Sequence, residues 1–255
     1  MKKIFAIFGA LALLVSCNKD NKTDNGSIID DGGNGGTTEL HQSLKGSNYY
    51  PILMDQTTFD KIASKVAADL RCQDGGDAAS TRPMYIWNGY AGNTASGLSF
   101  YGGADGFTSL VVNDQNPEVG SRWSGQGIFV KKTDPGFDKI KEIGAGYYFH
   151  FAYKGAAGVS HCVYPTWGGK EYRVSIGEGE KFVDQGNAYD FIAPISNGGK
   201  FVANEWNEYE IAISDTGINF AAEANEAAGN NIFCSLSGGV NGTVLNLDAV
   251  FFYKK

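Results

Sequence analysis

Residues 146–154, which read G-Y-Y-F-H-F-A-Y-K, constrain the fold more than any other stretch of the chain. Read with a period of two, one face of this stretch carries only aromatic rings, at Tyr147, Phe149, Phe151 and Tyr153. The opposite face carries Tyr148, His150 and Ala152. Because both faces look sheltered from solvent, this stretch is predicted to be a central strand around which the rest of the domain is organised.

The other patterns along the chain indicate an all-β fold. About nine further strand-like runs are separated by Gly-rich turns, without helices of 10 to 15 residues between them. This arrangement predicts an antiparallel β-sandwich, whose core we expect to include Phe149, Phe151, Val174, Ile211 and Leu247. Apolar residues recur with helical spacing from Phe59 to Leu70, so we also predict a helical annex at residues 57–71 on the outside of the sandwich.

The N-terminus has the features of an export signal. Lys2 and Lys3 precede an apolar run at residues 4–15 that is too short to span a bilayer comfortably. We therefore expect residues 1–16 to be removed as a signal peptide. The sequence L-V-S-C that ends at Cys17 resembles the lipobox of bacterial lipoproteins, which implies that Cys17 becomes the lipidated first residue of the mature chain. The alternative is an ordinary secretory signal.

The segment at 17–39 is rich in Asn, Asp, Gly and Thr and has almost no apolar side chains. Such a composition cannot bury enough surface to offset chain entropy, so we predict a flexible tether. The tether leaves residues 40–255 as a single sandwich domain, which we expect to be monomeric. A lipid anchor at Cys17 and a tether of this length predict a protein of the outer membrane, displayed on the cell surface.

The acidic balance of the chain argues against one class of partner. The formal net charge is −7, and no dense cluster of Lys and Arg occurs. A protein that binds nucleic acid needs a basic patch to release counterions from the phosphates, so we expect no nucleic-acid partner. Besides Cys17, the residues Cys72, Cys162 and Cys234 allow at most one disulfide, and the sequence leaves open whether it forms.

Candidate catalytic groups are few. Glu208 and Glu210 have the spacing of a glycosidase carboxylate pair, but residues two apart on any strand have it, so we interpret them as a solvated strand face. Ser160 and His161 are neighbours on an extended chain and point apart, so they cannot act as nucleophile and base. His150 fits a hydrogen-bonded histidine of the sandwich better than a ligand contact. We therefore predict no catalytic residue.

Aromatic residues among Gly, Ser, Asn and Pro give the stronger functional signal. Tyr90 lies in N-G-Y-A-G-N, Trp123 in S-R-W-S-G, and Tyr164 and Trp167 in V-Y-P-T-W-G-G. We predict loops at these places, and a large ring on a loop exposes apolar surface unless it has a partner. Flat rings suit the apolar C–H faces of sugars, so these four residues are candidate glycan ligands, with an exposed Trp167 as the main platform. The alternative is that the rings fold back and seal one end of the sandwich.

Three segments resemble strands of the jelly-roll sandwiches of carbohydrate-binding modules, especially those of surface glycan-binding lipoproteins in Bacteroidetes polysaccharide-utilisation systems. They read Y-Y-F-H-F-A-Y-K at 147–154, N-E-W-N-E-Y-E-I at 204–211 and L-N-L-D-A-V-F-F-Y-K at 245–254. The resemblance implies an antiparallel jelly roll and non-catalytic binding of an oligo- or polysaccharide. Two alternatives stay open: a sandwich-fold glycan hydrolase or lyase, and a structural or adhesive surface protein.

The same resemblance makes Asp248 a candidate metal ligand, because jelly rolls of this kind often hold a structural calcium near an acidic residue of the last strand. Oxygen ligation of a hard cation would explain an Asp between apolar neighbours. The alternative is a position on a wet strand face together with Asn246, which has the same parity. We predict no other cofactor.

Overall fold

The computed structural model shows two β-sheets that pack face to face as an antiparallel jelly-roll sandwich, so the predicted fold class is confirmed. The structure describes residues 39–73, 80–87, 94–95, 97–104, 106–112, 124–222, 228–238 and 242–255. Within these ranges, no helix is both long enough and apolar enough to cross a membrane.

The first sheet contains six strands. Its spatial order is β12 (Asn207–Ala212), β6 (Tyr147–Lys154), β14 (Val244–Lys254), β4 (Phe107–Val111) and β3 (Thr94–Ala95). Strand β1 (Ser47–Leu53) pairs with the C-terminal half of β14, on the side where β4 pairs with its N-terminal half. Strand β6 therefore has partners on both sides, β12 and β14, as predicted for a central strand.

The second sheet has the spatial order β2 (Met84–Trp87), β5 (Ser124–Lys131), β13 (Gly229–Ser237) and β7 (Ser160–Trp167). Two short strands follow and pair with different ends of β7: β8 (Lys170–Glu171) and β9 (Val174–Gly177). A separate hairpin consists of β10 (Val183–Asp184) and β11 (Asn187–Ala188). All of these strand pairs are antiparallel, which is the pairing expected for strands joined by turns rather than by crossover helices.

The core lies between the inner faces of the two sheets. The five residues predicted for it are all 5% exposed or less: Phe149, Phe151, Val174, Ile211 and Leu247. Rings meet across paired strands, with centroids 5.1 Å apart for Phe151 and Tyr209 and 5.0 Å apart for Phe149 and Phe252. The period-two interpretation of β6 is therefore confirmed.

Helical segments are short. The described residues form α1 (Gln56–Ile62) and α2 (Ile213–Thr216), with 3-10 turns at Gln42–Leu44, Ala63–Lys65, Phe137–Glu142 and Asn197–Gly199. The prediction of a helix at residues 57–71 is wrong for its second half. There the N–H groups bind carbonyl oxygens of β1, from Ala67 to Tyr49 and from Leu70 to Pro51, so pairing with a strand replaces the helical hydrogen bonds.

The outer face of the first sheet is covered by the chain around β1 and α1. Three rings pack there with centroids 5.3–5.5 Å apart, and Tyr49, Phe251 and Tyr253 are each 2% exposed or less. We call this surface the closed face, and its buried apolar residues are Leu44, Tyr49, Ile62, Ala152, Ala249, Phe251 and Tyr253. This cover keeps a ligand away from the buried residues of the first sheet's outer face.

Candidate functional site

A polar cleft opens beside the outer face of the second sheet. Its volume is about 410 Å³, and its lining residues all carry hydrogen-bonding groups: Glu171, Arg173, Asp184, Gln185, Asn187 and Tyr189. Glu171 ends β8, Arg173 lies between β8 and β9, and the other four residues come from the β10–β11 hairpin and the residue that follows it. We call this site the cleft.

The β10–β11 hairpin forms one wall of the cleft. Its two loop residues, Gln185 and Gly186, have φ angles of 48° and 82°. Positive φ at both loop positions is characteristic of the two-residue hairpin turn whose twist matches that of antiparallel strands. Glycine adopts a positive φ at little energetic cost. The turn pairs Asp184 directly with Asn187, so a carboxylate and an amide are held side by side at the cleft.

Arg173 organises the polar lining. Its guanidinium carbon lies 4.6 Å from the ring centroid of Tyr164 and 5.6 Å from that of Tyr189. The Nε atom donates to Glu171 Oε2 at 2.8 Å, and Nη1 donates to Asp184 Oδ2 at 2.5 Å. Two rings and two carboxylates therefore hold one cation in a fixed orientation.

Burial and ion pairing set the charges around Arg173. Partial burial opposes its charge, but the hydrogen bonds to Glu171 and Asp184 outweigh this effect and hold the pKa of Arg173 above its ordinary value. Burial raises the pKa of the Tyr164 hydroxyl, so this ring is neutral beneath the cation. The guanidinium is therefore charged at every pH that the protein meets.

Tyr164 and Trp167 do not form the exposed platform that the sequence predicted. The segment V-Y-P-T-W continues as strand β7 up to Trp167 instead of turning into a loop. Residues three apart on a strand point to opposite faces, so the sheet itself separates the two rings. Tyr164 is 3% exposed on the outer face beneath Arg173, and Trp167 is 2% exposed. The prediction that Trp167 is held out for a ligand is wrong.

Trp167 instead fills one end of the core. Its indole contacts the rings of Phe137 at 5.3 Å and Phe220 at 6.1 Å between centroids, as in the sealing alternative. Tyr90 and Trp123 lie outside the described residues, so their role as glycan ligands stays a prediction.

Buried thiols and apolar side chains support the ring beneath Arg173. Cys162, Phe182, Cys234 and Leu236 form one cluster with Tyr164 on the outer face of the second sheet. Cys162 and Cys234 are both free thiols, so no disulfide joins them. The cluster fixes Tyr164 and, through it, one side of the guanidinium.

A second aromatic group lies at the other edge of the same sheet. Tyr85 on β2 is 38% exposed, its ring centroid is 6.4 Å from that of Phe129, and its hydroxyl donates to Asn231 Oδ1. Strands β5, β13 and β7 separate β2 from β9 in the sheet. Tyr85 and the Tyr164 ring beneath Arg173 are in register across β2, β5, β13 and β7. Because neighbouring strands are about 4.8 Å apart, these two residues lie about 14 Å apart across this face.

Sequence reasoning missed the residues that line the cleft. Glu171 and Arg173 alternate with Tyr172 and Val174, a pattern that indicates a wet strand face and nothing more. The run D-Q-G-N at 184–187 was the signal that could have been used, because a glycine in a two-residue turn indicates a tight hairpin. The sequence carries no sign that this hairpin meets Arg173.

The acidic residues of β12 are not a solvated strand face, contrary to our interpretation. Glu208 is 7% exposed, and its Oε1 is 2.7 Å from Nε2 of the fully buried His150. Burial opposes the charge of Glu208, but the hydrogen bond and charge interaction with His150, together with His41 and Ser43, outweigh it, so the pKa of Glu208 lies below its ordinary value. Tyr253 and Lys255 contact Glu210. His150 is thus a hydrogen-bonded residue of the sandwich, as predicted.

Asp248 is buried on the closed face. It is 3% exposed, so the alternative of a wet strand face is wrong. Its Oδ2 accepts a hydrogen bond from the N–H of Phe100 at 2.6 Å, and burial raises its pKa to about 7. Among the described residues, no group of three or more His, Cys, Asp or Glu side chains is arranged to hold a metal. Calcium at Asp248 stays a prediction.

Comparison with known proteins gives structural similarities only, since no protein-family model matches the chain and no curated protein matches its sequence. The chain is similar to TmCBM61 in complex with β-1,4-galactotriose, with 15% identity, a TM-score of 0.31, and coverage of 60% of this chain and 73% of that one. It is also similar to the family 11 carbohydrate-binding module of cellulosomal cellulase Lic26A-Cel5E of Clostridium thermocellum, with 10% identity, a TM-score of 0.33, and coverage of 72% and 94%. A family 11 module from Clostridium thermocellum in complex with a β-1,3-1,4-mixed-linked tetrasaccharide gives the same identity and TM-score, with coverage of 71% and 94%. Similarities this low carry no argument about the family or the ligand of the chain.

Proposed function

We propose that the protein binds an oligo- or polysaccharide at the cleft and does not convert it. The observation that carries this proposal is Arg173, which is held between Tyr164 and Tyr189 while its two carboxylate partners border the open cleft. Sugar hydroxyls bind carboxylates and amides, and sugar C–H faces pack on aromatic rings. The cleft offers both kinds of contact in about 410 Å³, which is within the range of small-molecule sites.

The way in which the carboxylates are held supports binding without turnover. A glycosidase needs one carboxyl group that donates a proton and a second group that acts as base or nucleophile. Glu171 and Asp184 instead both accept hydrogen bonds from the same permanently charged Arg173. We assign both carboxylates to ligand binding rather than to proton transfer.

Titration calorimetry and affinity electrophoresis against a broad panel of neutral and acidic glycans test this function. We expect micromolar to millimolar affinity for at least one glycan, and a loss of about tenfold in Tyr189→Ala, which removes the half-buried ring of the cleft. The matched control is Tyr148→Ala, which removes a half-buried ring from the outer face of the first sheet and should bind like wild type. The proposal fails if no glycan binds or if both variants bind equally well. Release of reducing sugar would show an enzyme instead.

We also propose that a lipid on Cys17 and a tether at 17–39 display a monomeric domain on the outer-membrane surface. Support comes from the L-V-S-C sequence and from the polar composition of the tether. Cys17→Ala should move the protein from the membrane fraction to the soluble fraction, because each buried CH₂ of an acyl chain contributes about 0.8 kcal/mol of membrane affinity. Unchanged partitioning of this variant would rule out the anchor.

A further inference from the structure

The charges of the cleft are unequal. Two of its lining residues, Glu171 and Asp184, are carboxylates, whereas Arg173 is the one cation in its lining. The remaining lining residues carry amide or hydroxyl groups: Gln185, Asn187 and Tyr189. The cleft therefore has one more negative than positive charge at neutral pH, which agrees in sign with the formal net charge of −7 for the whole chain.

The guanidinium of Arg173 is also poorly placed to receive an anion. A carboxylate binds arginine best through two parallel hydrogen bonds, along the Nε–Nη2 edge or the Nη1–Nη2 edge. Glu171 already occupies Nε on the first edge. On the second edge, the two hydrogens of Nη1 are donated to Asp184 Oδ2 at 2.5 Å and to the Tyr189 hydroxyl at 3.4 Å. An incoming carboxylate can form a two-donor contact only if it displaces one of these residues.

By contrast, several hydrogen-bonding groups of the cleft lining are not used to bind Arg173. Glu171 uses Oε2 and Asp184 uses Oδ2 to bind Arg173. Among the described residues, no hydrogen bond is formed by the second oxygen of either carboxylate or by the side-chain amides of Gln185 and Asn187. These groups suit the hydroxyl groups of a neutral sugar, which donate and accept hydrogen bonds without bringing a charge.

The charge count and the occupied edges of Arg173 together define a ligand class. Resting on the proposed function, we infer that the cleft selects an uncharged saccharide and rejects uronates. Glu171 and Asp184 act as the specificity-determining residues, because they repel a ligand carboxylate and block the edges of Arg173. Arg173 is a positioning residue that holds both carboxylates in the cleft.

The test uses matched pairs of ligands and variants. Each neutral oligosaccharide is paired with the same backbone oxidised at C6 to the uronate, and both are titrated at low and at high salt. The variants are Glu171→Gln with Asp184→Asn, Asp184→Asn alone in case the double variant does not fold, and Glu205→Gln as the control. Glu205 is exposed and lies outside the cleft lining. Circular dichroism and urea melts establish that each variant is folded.

We expect wild type to bind a neutral oligosaccharide about tenfold more tightly than its uronate at low salt, because unit charges that face open solvent repel each other little more strongly than in bulk water. This preference should shrink at high salt, because screening weakens repulsion. The preference should fall by about tenfold in the charge-neutralised variants and stay unchanged in Glu205→Gln. Equal or tighter uronate binding by wild type, or an unchanged preference in the cleft variants, overturns the inference and leaves glycan binding in place. Absence of binding to every oligosaccharide overturns the proposed function together with it.

Discussion

The closed face and the cleft lie at the outer faces of the two sheets, and they use aromatic residues in opposite ways. On the closed face, Tyr49, Phe251 and Tyr253 are packed under the N-terminal part of the domain and are 2% exposed or less. At the cleft, Tyr189 is half-buried and contacts Arg173. The difference teaches that aromatic content alone does not indicate a candidate ligand site in this fold, because the ring at the proposed site differs from the rings of the closed face in meeting both polar partners and solvent.

Ionisable side chains show the same contrast. On the closed face, Glu208 bonds to His150 and Asp248 accepts the N–H of Phe100, and both carboxylates are 7% exposed or less. In the cleft, the side chain of Glu171 is 41% exposed and that of Asp184 is 18% exposed. Only the cleft carboxylates can exchange water for a ligand hydroxyl, so the closed face is expected to contribute stability and the cleft to contribute recognition.

Phe251→Ala gives the largest test of this division. Phe251 is fully buried and stacks on His150 with ring centroids 4.3 Å apart. Emptying such a site should lower the free energy of unfolding by about 3 to 5 kcal/mol. Tyr189→Ala is the matched variant from the cleft and should cost about 1 kcal/mol, as is usual for a substitution outside a core. Urea melts of both variants measure the two costs, and equal costs would show that the closed face is not a second core.

The sequence predicted the sandwich and its core because those features depend on local patterns. Four alternating rings of β6 and the alternation around Val174 and Ile211 repeat with the period of a strand, and burial of one face follows directly. The helix at 57–71 was predicted by the same kind of pattern, and its second half was wrong. There, pairing with β1 outweighs the helical spacing of the apolar residues, and no local signal reports that pairing.

The cleft could not be predicted in this way. Pro165 and two glycines made the V-Y-P-T-W-G-G segment look like a loop, although Pro165 is paired with Phe233 inside β7. Once the strand continues through Pro165, parity alone places Tyr164 outside and Trp167 inside. Arg173 contacts Tyr164, nine positions before it, and Asp184 of the hairpin, 11 positions after it. These are tertiary contacts, and no local sequence pattern predicts them.

Asp248 gives a smaller and more selective test of the closed face, through pH. Burial raises its pKa to about 7 in the folded protein, although hydrogen bonds from the N–H groups of Phe100 and Ala249 favour the ionised form. The unfolded chain binds the same proton with an ordinary pKa of 3.8. The protonated carboxyl group therefore stabilises the fold. This contribution is fully present below about pH 4 and is lost as the pH rises through about 7.

Asp248→Asn should remove this pH dependence, because the amide keeps an acceptor oxygen for the N–H of Phe100 and cannot ionise. Wild type loses this contribution as the pH rises and the variant does not. We therefore expect the free energy of unfolding of the variant, measured relative to that of wild type, to increase by about 2 to 4 kcal/mol between pH 4.5 and pH 8. The quantity to compare is the free energy of unfolding of the variant minus that of wild type at each pH, because other residues also make the stability of both proteins depend on pH. Burial lowers the pKa of His41 and lowers that of His161 to about 3, so these residues make both proteins less stable as the pH falls below about 6.5.

Urea melts at several pH values, with and without calcium chloride, measure this effect and test the predicted calcium ligand at the same time. Calcium bound at Asp248 would stabilise wild type at pH 8 and leave Asp248→Asn unchanged, because only the carboxylate attracts the ion. Equal curves with and without calcium would remove Asp248 as a calcium ligand. If the difference in free energy of unfolding between Asp248→Asn and wild type stays constant from pH 4.5 to pH 8, Asp248 keeps an ordinary pKa. In that case solvent reaches the carboxylate, and the closed face is open at this residue.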